Sequence, residues 1–461
     1  MCATFATVAA QIGRIGMSQF NLLGTNRFLP LFCTQFLGAL NDNIYKNALI
    51  IFVAFTLADR LAVNGSMMVV IASGLFILPF FLFSANAGQI ADKYEKAMLI
   101  RRIKVAEILI MSLAAVGFLM QSLTILLVVL FLMGAQSTFF GPLKYGILPQ
   151  HLGVQELTGG NGMIQMATYL AILVGTIIGG LLIALGHVGT YLVSATVIIV
   201  ALSGWLTSRH IPEAAAFEPG MVLDWNIARQ TVRIIRYALD DKSIFVPIVA
   251  ISWFWFHGAT FLSLVPGYTR AVLHGNEIVA TLLLFALSVG IGTGSLLCER
   301  LTRGRIEPGL VPVGAAGLTL FPLDLYLAGT PGAAAIIDPH LFLEQWQYLR
   351  ILLDLVMIGF CGGLYIVPLY AMVQYRSSPD HRARVIAANN IINALFMVIS
   401  AAVISLLIHL NLRFTTLFLV VAVLNLLVNG AIFARSAEFL SSSRALFRSW
   451  FKSDVADNLP G

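Results

Sequence analysis

The sequence predicts an all-α membrane protein of twelve spanning helices arranged as two six-helix bundles. Three observations carry that expectation. The chain of 461 residues is 59% hydrophobic and only 11% charged, whereas soluble domains carry about 25% charged residues. Its apolar runs are continuous over membrane-crossing lengths instead of alternating as barrel strands do. They also fall six and six around a polar stretch, 209–242.

Taken in order, the segment 1–28 lacks the basic start, apolar core and small-residue cleavage site of a signal peptide. It is expected to stay attached, on the cytoplasmic side. Spans are expected at 29–57, 66–88, 104–121, 123–148, 157–186 and 188–208, which makes 29–208 the N-terminal bundle. Spans at 243–267, 276–298, 309–329, 346–371, 383–409 and 413–435 make 243–435 the C-terminal bundle. In the linker 209–242, Trp225, Ala228, Val232, Ile235 and Leu239 step by three and four beside Arg229, Arg233 and Arg236. That pattern predicts a basic amphipathic helix at the lipid headgroups. The tail, 436–461, repeats it more weakly, with Phe439, Leu440, Phe447, Trp450 and Phe451 against Arg444, Arg448 and Lys452.

Orientation follows from Lys and Arg. They crowd into the segments before span 1 (Arg14, Arg27), after span 2 (Lys93, Lys96, Arg101, Arg102, Lys104), in the linker, after spans 8 and 10, and in the tail. The opposite side keeps Arg60, Arg270, Arg350 and Arg413. Both termini are therefore expected in the cytoplasm. The net charge of +6 follows this topology and does not indicate a nucleic-acid partner. Cys2, Cys33, Cys298 and Cys361 lack metal or redox spacing and read as small apolar fillers.

The first span carries Asn41, Asp42, Asn43, Lys46 and Asn47 at its centre. An ionised side chain near mid-bilayer costs roughly 2.5–3.5 kcal/mol even on the lenient insertion scale. Helical geometry gathers 42, 43, 46 and 47 into one stripe, so the stripe is expected to face protein or a wet cavity. Asp42 and Lys46 also have the acid-first i, i+4 order of a structural ion pair. Lys144, near the end of span 4, shares a face with Ser137 and competes between a binding role and snorkelling to the interface. Asn161 and Gln165 on span 5 are echoed at the same spacing by Asn389 and Asn393 on span 11. Such amides line a hydrophilic path or bond helix to helix. His257 in span 7 reads either as a coupling group or as a histidine packed between helices, and Asp324 and Asp354 read as interfacial or structural.

GQIADKYEK, Gly88 to Lys96, places an acid and then a basic cluster after span 2; SLLCERLTRGR, Ser295 to Arg305, does so after span 8 with Glu299. The first of these resembles the signature loop of the major facilitator superfamily through Gly88, Asp92, Lys93, Lys96 and Arg101. FLGALNDNIYKNAL (Phe36 to Leu49), GPLKYGILPQ (Gly141 to Gln150), LTGGNGMIQMATYLAILVGTIIGG (Leu157 to Gly180) and GGLYIVPLYAMVQ (Gly362 to Gln374) resemble the bacterial lysophospholipid transporters within that superfamily. The chain departs from them in span 7, where the family can carry an Arg and this sequence has Phe261, Leu262 and Ser263.

The resemblance implies a flippase that moves lysophospholipids such as lysophosphatidylethanolamine from the outer to the inner leaflet of the bacterial inner membrane, for reacylation. A separate acyltransferase or acyl-carrier-protein ligase would be the partner. For that substrate the residues themselves offer Asp42, Asn43, Lys46, Lys144, Asn161, Gln165, Asn389 and Asn393 as binding groups, with Asp42 receiving the headgroup ammonium or acting in a charge switch that opens and closes the pathway. Gly88, Asp92, Lys93, Lys96, Arg101 and Glu299 would form a cytoplasmic gate, and His257 a subsidiary coupling group. The sequence holds no nucleophile–His–acid set, phosphate-cradling loop or metal-spaced cluster, so neither an enzyme nor a cofactor is expected. Two rival readings are a proton-coupled exporter of drugs or small solutes and a non-transporting scaffold that recruits an acyltransferase.

Overall fold

Apolar segments in hydrocarbon must satisfy their own backbone hydrogen bonds, and helices do so within one segment. The computed structural model describes residues 18–53, 65–329 and 339–456; the expectations placed on the chain before Ser18, on Arg60 and on the side chains of Trp450, Phe451 and Lys452 lie outside them. The long helices are α1 Leu29–Phe52, α2 Gly65–Lys93, α3 Lys96–Leu119, α4 Leu123–His151, α5 Leu157–Ile183 and α6 His187–Ser208. The linker helix α7, Ile227–Asp240, follows, then α8 Lys242–Ala271, α9 Glu277–Thr302, α10 Leu310–Ala328, α11 Trp346–Arg376, α12 Arg382–His409 and α13 Phe414–Arg435. The tail forms α14, Glu438–Ala456. Among the described residues the protein is thus an all-α, multi-pass membrane protein with twelve long helices outside the linker and tail, one at each expected span, residues 54–57 of the first lying outside the described residues.

Ten of these helices are long and apolar enough to cross a membrane among the described residues. The other two are α1, with Asp42 and Lys46, and α3, with Arg101, Arg102, Lys104 and Glu107. Polarity inside these two helices sets up the site.

The chain divides into two compact units. Unit 1 comprises 1–156, 167–242 and 374–394, and unit 2 comprises 157–166, 243–373 and 395–461. In unit 1 a buried cluster of Ile44, Tyr45, Phe52, Met111, Phe118, Leu126, Met133 and Val197 joins α1, α3, α4 and α6. The Tyr45 hydroxyl donates to the Leu126 carbonyl at 2.6 Å, and its ring meets Phe118 edge-on. A Cβ on Gly179 of α5 would collide with the Ile44 carbonyl of α1, so glycine is what allows those backbones to touch.

In unit 2 the amides of α13 do the tying. Asn425 accepts from Trp253 Nε1 of α8 at 2.8 Å and donates to the Ala315 carbonyl of α10 at 2.9 Å. One turn on, Asn429 accepts from the Tyr365 hydroxyl of α11 at 2.8 Å. Phe439 and Leu446 of α14 are buried, while Leu440 and Phe447 stay exposed.

The linker helix begins at Asn226, whose side chain accepts from the Arg229 N–H as an N-cap. It buries Gln230, Ile234 and Ala238 within unit 1. The apolar residues that the spacing assigns to one face behave differently: Trp225, Ala228, Val232 and Leu239 are exposed and Ile235 half-buried.

Candidate functional site

The first-span stripe divides in two. Asp42, Asn43, Lys46 and Asn47 are half-buried, whereas Asn41, Ile44, Tyr45 and Ala48 are buried. On the α5 side of the stripe, Asn43 donates to its own helix at the Ala39 carbonyl and Asn47 donates to the Thr176 carbonyl of α5, each at 2.7 Å. These two amides are engaged in helix packing. Asp42 and Lys46 are left as the charged part of the stripe.

Asp42 accepts a hydrogen bond from the Ser137 hydroxyl of α4 at 2.8 Å. Lys46 forms no ion pair with it among the described residues; its ammonium lies over the Phe76 ring, 4.4 Å from the centroid. Lys144, also half-buried, places its ammonium 4.7 Å from the Tyr145 ring centroid. Lys144 stands nearly two turns beyond Ser137, the Asp42 partner, on the same face of α4. The pairing that the i, i+4 order suggests is therefore replaced by one hydroxyl and two aromatic faces, which attract cations through the ring quadrupole.

Behind Asp42 lies a buried ion pair that linear inspection missed. Lys104 of α3 donates to Glu107 at 2.6 Å, with side-chain exposures of 0% and 2%. Sequence placed Lys104 among the cytoplasmic topology charges, and the structure adds that it is buried in an ion pair. Its ammonium fits a niche between Gly38 of α1 and Gly204 of α6, where a Cβ on Gly38 would come within 2.5 Å of Nζ. Glu107 also accepts from Asn41 of α1 and Gln136 of α4, both at 3.1 Å. The Ser137 hydroxyl lies 3.4 Å from the Gln136 carbonyl oxygen and donates to Asp42. A continuous polar chain thus runs Lys104–Glu107–Gln136–Ser137–Asp42. The signal was present as an i, i+3 Lys–Glu pair inside an apolar span, but only packing gives it neighbours.

The loop after α2 forms a second constellation. Asp92 is fully buried, and its carboxylate accepts from Arg384 Nε at 2.9 Å and from the Ala383 N–H at 3.2 Å, both in α12. Arg384 also donates to Glu218 at 2.9 Å, and the Phe217 and Glu218 N–H groups donate to the Asp92 carbonyl at 3.1 Å. A Cβ on Gly88 would reach 2.8 Å from the Ala387 Cβ and 2.9 Å from the Arg384 Cα. The expected basic neighbours do other work. Lys96 is buried with its ammonium 4.5 Å from the Phe217 ring centroid, Lys93 lies 5.6 Å from that of Tyr94, and Arg101 donates to the Ile211 carbonyl at 2.9 Å. Arg384, one of the basic residues that follow span 10, is the residue that grips Asp92.

The remaining candidates are dispersed. Asn389 and Asn393 belong to unit 1, while Asn161, Gln165, His257 and Glu299 belong to unit 2. Asn161 is buried and donates to its own helix at the Leu157 carbonyl. Gln165, Asn393 and Glu299 are buried as well. Asn389 is 1% exposed, and neither end of its amide has a partner. His257 is buried with both ring nitrogens unpartnered, and its ring packs on Phe261 at 5.0 Å.

Comparisons with known proteins extend this picture. A family model described as Major Facilitator Superfamily matches residues 31–343. The lysophospholipid transporter LplT of Serratia proteamaculans is 24% identical over 352 residues, covering 76% of this chain and 80% of the relative. That of Yersinia enterocolitica is 27% identical over 357 residues, covering 76% and 78%. Among solved structures, a bacterial homologue of the iron transporter ferroportin, in its outward-facing state, superposes with a TM-score of 0.62 at 15% identity, covering 90% of this chain and 99% of that one. The fucose:proton symporter of E. coli gives 0.62 at 14% identity, covering 92% and 99%. At such identities the two structures speak for the fold alone.

Proposed function

Because the chain belongs to the Major Facilitator Superfamily and is a membrane transporter, we propose that it moves lysophospholipids from the outer to the inner leaflet of the bacterial inner membrane. Both termini are cytoplasmic in this reading. A separate acyltransferase or acyl-carrier-protein ligase then reacylates the product.

The observation that carries the reading is the charge arrangement in unit 1. A half-buried carboxylate, Asp42, lies near two half-buried lysines, Lys46 and Lys144, whose ammonium groups rest on aromatic rings. A zwitterionic headgroup presents the complementary pair. Its ammonium suits Asp42, and its phosphodiester suits lysine acting as a point charge. The relatives named lysophospholipid transporters support the same substrate class. An acyl chain prefers hydrocarbon at every depth, so the headgroup takes the polar route while the tail slides through a lateral opening. Asn389 and Asn393, in the same unit as Asp42, line the remainder of that route.

Alternating access supplies the motion. Asp92 and Arg384 close the cytoplasmic end in one state and part in the other. Gly88 permits the close approach of α2 and α12, and Lys93, Lys96 and Arg101 steady the adjoining loop.

The test is uptake of fluorescent lysophosphatidylethanolamine by the purified chain in liposomes, with equal pH on both sides. The wild type is expected to move it, and Asp42→Asn to slow it by about 10- to 100-fold, the loss of one charge-assisted contact. Equal rates would remove Asp42 from the mechanism. Transport only under a pH gradient would favour the proton-coupled exporter, and no transport at all would favour the scaffold.

A further inference from the structure

Between α2, α3 and α4 of unit 1 lies a pocket of about 240 Å³ that the headgroup route does not use. Each helix gives it one face at i, i+4 spacing: Ala87 and Ala91 from α2, Arg102 and Ala106 from α3, Phe139 and Leu143 from α4. The three alanines leave the room, since a longer side chain at any of them would enter the space. Ala87, Ala91 and Leu143 are buried, whereas Arg102 and Ala106 are exposed, so the pocket opens outward along α3. Gly88 and Asp92 leave α2 on another flank, toward α12, which keeps the pocket apart from that constellation.

The mouth faces lipid. Beside and below it α3 exposes Val105, Leu109 and Val116, and an apolar face this open on a spanning helix is a membrane contact. Tyr94, exposed where α2 passes to α3, marks the lipid–water boundary as aromatic side chains do. Arg102 stands six residues beyond Lys96, the start of α3, which is about 9 Å at the helical rise. From that depth an arginine stem lies along apolar surface and carries its guanidinium up to the phosphates. Among the described residues Arg102 has no hydrogen-bond or ion-pair partner.

The acids of this corner are already engaged. Glu95 caps α3 by accepting from the Ala97 and Met98 N–H groups, and it also accepts from the Ala214 N–H at 2.7 Å. Asp92 is held by Arg384 and Glu107 by Lys104. None of the three is left to receive an ethanolamine ammonium, while a free guanidinium suits a phosphate. The pocket thus offers an apolar slot and one unmatched positive charge at headgroup height.

We propose that this pocket binds an anionic phospholipid, of which phosphatidylglycerol is an example, with the phosphate on Arg102 and an acyl chain between α2 and α3 over Phe139 and Leu143. The site needs neither Asp42 nor Lys144, so its occupant is a bound neighbour of the protein and not the transported molecule.

The full chain, stripped of lipid in detergent and titrated with phosphatidylglycerol, tests this by native mass spectrometry. The tightest phosphatidylglycerol is expected to weaken about fivefold in Arg102→Gln, the worth of one cation at an anionic headgroup. It should be lost in Ala106→Phe, whose ring fills the mouth. Both positions are exposed, so neither change threatens the fold. Asp42→Asn should keep the wild-type affinity even where it slows transport, which separates this site from the transport reading. Unchanged phosphatidylglycerol binding in both pocket variants overturns the proposal, as does phosphatidylethanolamine binding as tightly with the same dependence on Arg102. In liposomes, phosphatidylglycerol carrying a photoreactive acyl chain should label α2 or α3 in the wild type and not in Ala106→Phe. Labelling that this variant leaves unaltered would put the lipid elsewhere and refute the site.

Discussion

Lys104 and Glu107 form an ion pair of 2.6 Å with almost no solvent access, and Glu107 binds α1 and α4 through Asn41 and Gln136. One carboxylate thereby joins three helices behind Asp42. Removing ions from water is costly, and the mutual attraction offsets that cost only when the remaining lone pairs are bonded. The three donors to Glu107 meet this condition.

Breaking the pair on one side should therefore be severe. Glu107→Ala leaves a buried, unpartnered ammonium, and a loss of about 3–5 kcal/mol is expected. Lys104→Met with Glu107→Met should recover most of it. Thermal unfolding of the purified variants decides: a single variant as stable as wild type would mean that water reaches the pair.

Ser137→Ala removes the one hydroxyl bonded to Asp42. If the carboxylate depends on it for position, transport should fall by about tenfold, equivalent to roughly 1.4 kcal/mol, with little change in melting temperature. Unchanged uptake would assign the positioning to other groups.

Asp92 and Arg384 are coupled in a nearly dry setting, with side-chain exposures of 0% and 12%. A double-mutant cycle with Asp92→Asn and Arg384→Gln should give a coupling energy of about 0.5–3 kcal/mol, read from unfolding. Additive effects would contradict the pairing.

Gly88→Leu tests the close approach of α2 to Ala387 and Arg384. Overpacking typically costs about 1–3 kcal/mol, and the added side chain should also expose Asp92. Faster alkylation of a cysteine placed at Ala387 is the expected outcome. Unaltered reactivity would show that the helices have room to spare.

Acid should loosen the linker helix at its start. Asp224 accepts from the Asn226 N–H at 3.0 Å and from the Gln230 amide at 2.8 Å, and these bonds hold its carboxyl below the usual range. Because the folded value is depressed, the contribution is present above the ordinary value of about 3.9 and fades as pH falls through the folded one. Hydrogen exchange at 225–230, corrected for intrinsic rates, should lose protection with acidification in wild type. The same change in Asp224→Asn would locate the cause elsewhere.

Much of the molecule was legible before folding was considered. Continuous apolar runs specify spanning helices, because hydrocarbon leaves a chain no other way to bond its backbone. The helical period alone put Asp42 and Lys46 on one stripe, away from Tyr45 and Ala48. In the linker the period groups Val232 with Leu239 on one face, while the face that packs on protein carries Ile234 and Ala238. Periodicity names faces, and only the neighbouring surface selects which one packs.

Partners were beyond the reach of sequence for a related reason. Asp42 has an acid-first lysine four residues on, but its bond goes to Ser137, 95 residues away. Asp92 has Lys93 beside it and is held instead by Arg384, 292 residues away. Local spacing fixes what a side chain offers: a charge, a hydroxyl or a ring at a given height on a helix. Which offers are taken depends on helices brought together by packing, and there the cost of leaving a buried charge unsatisfied outweighs any preference written along one segment.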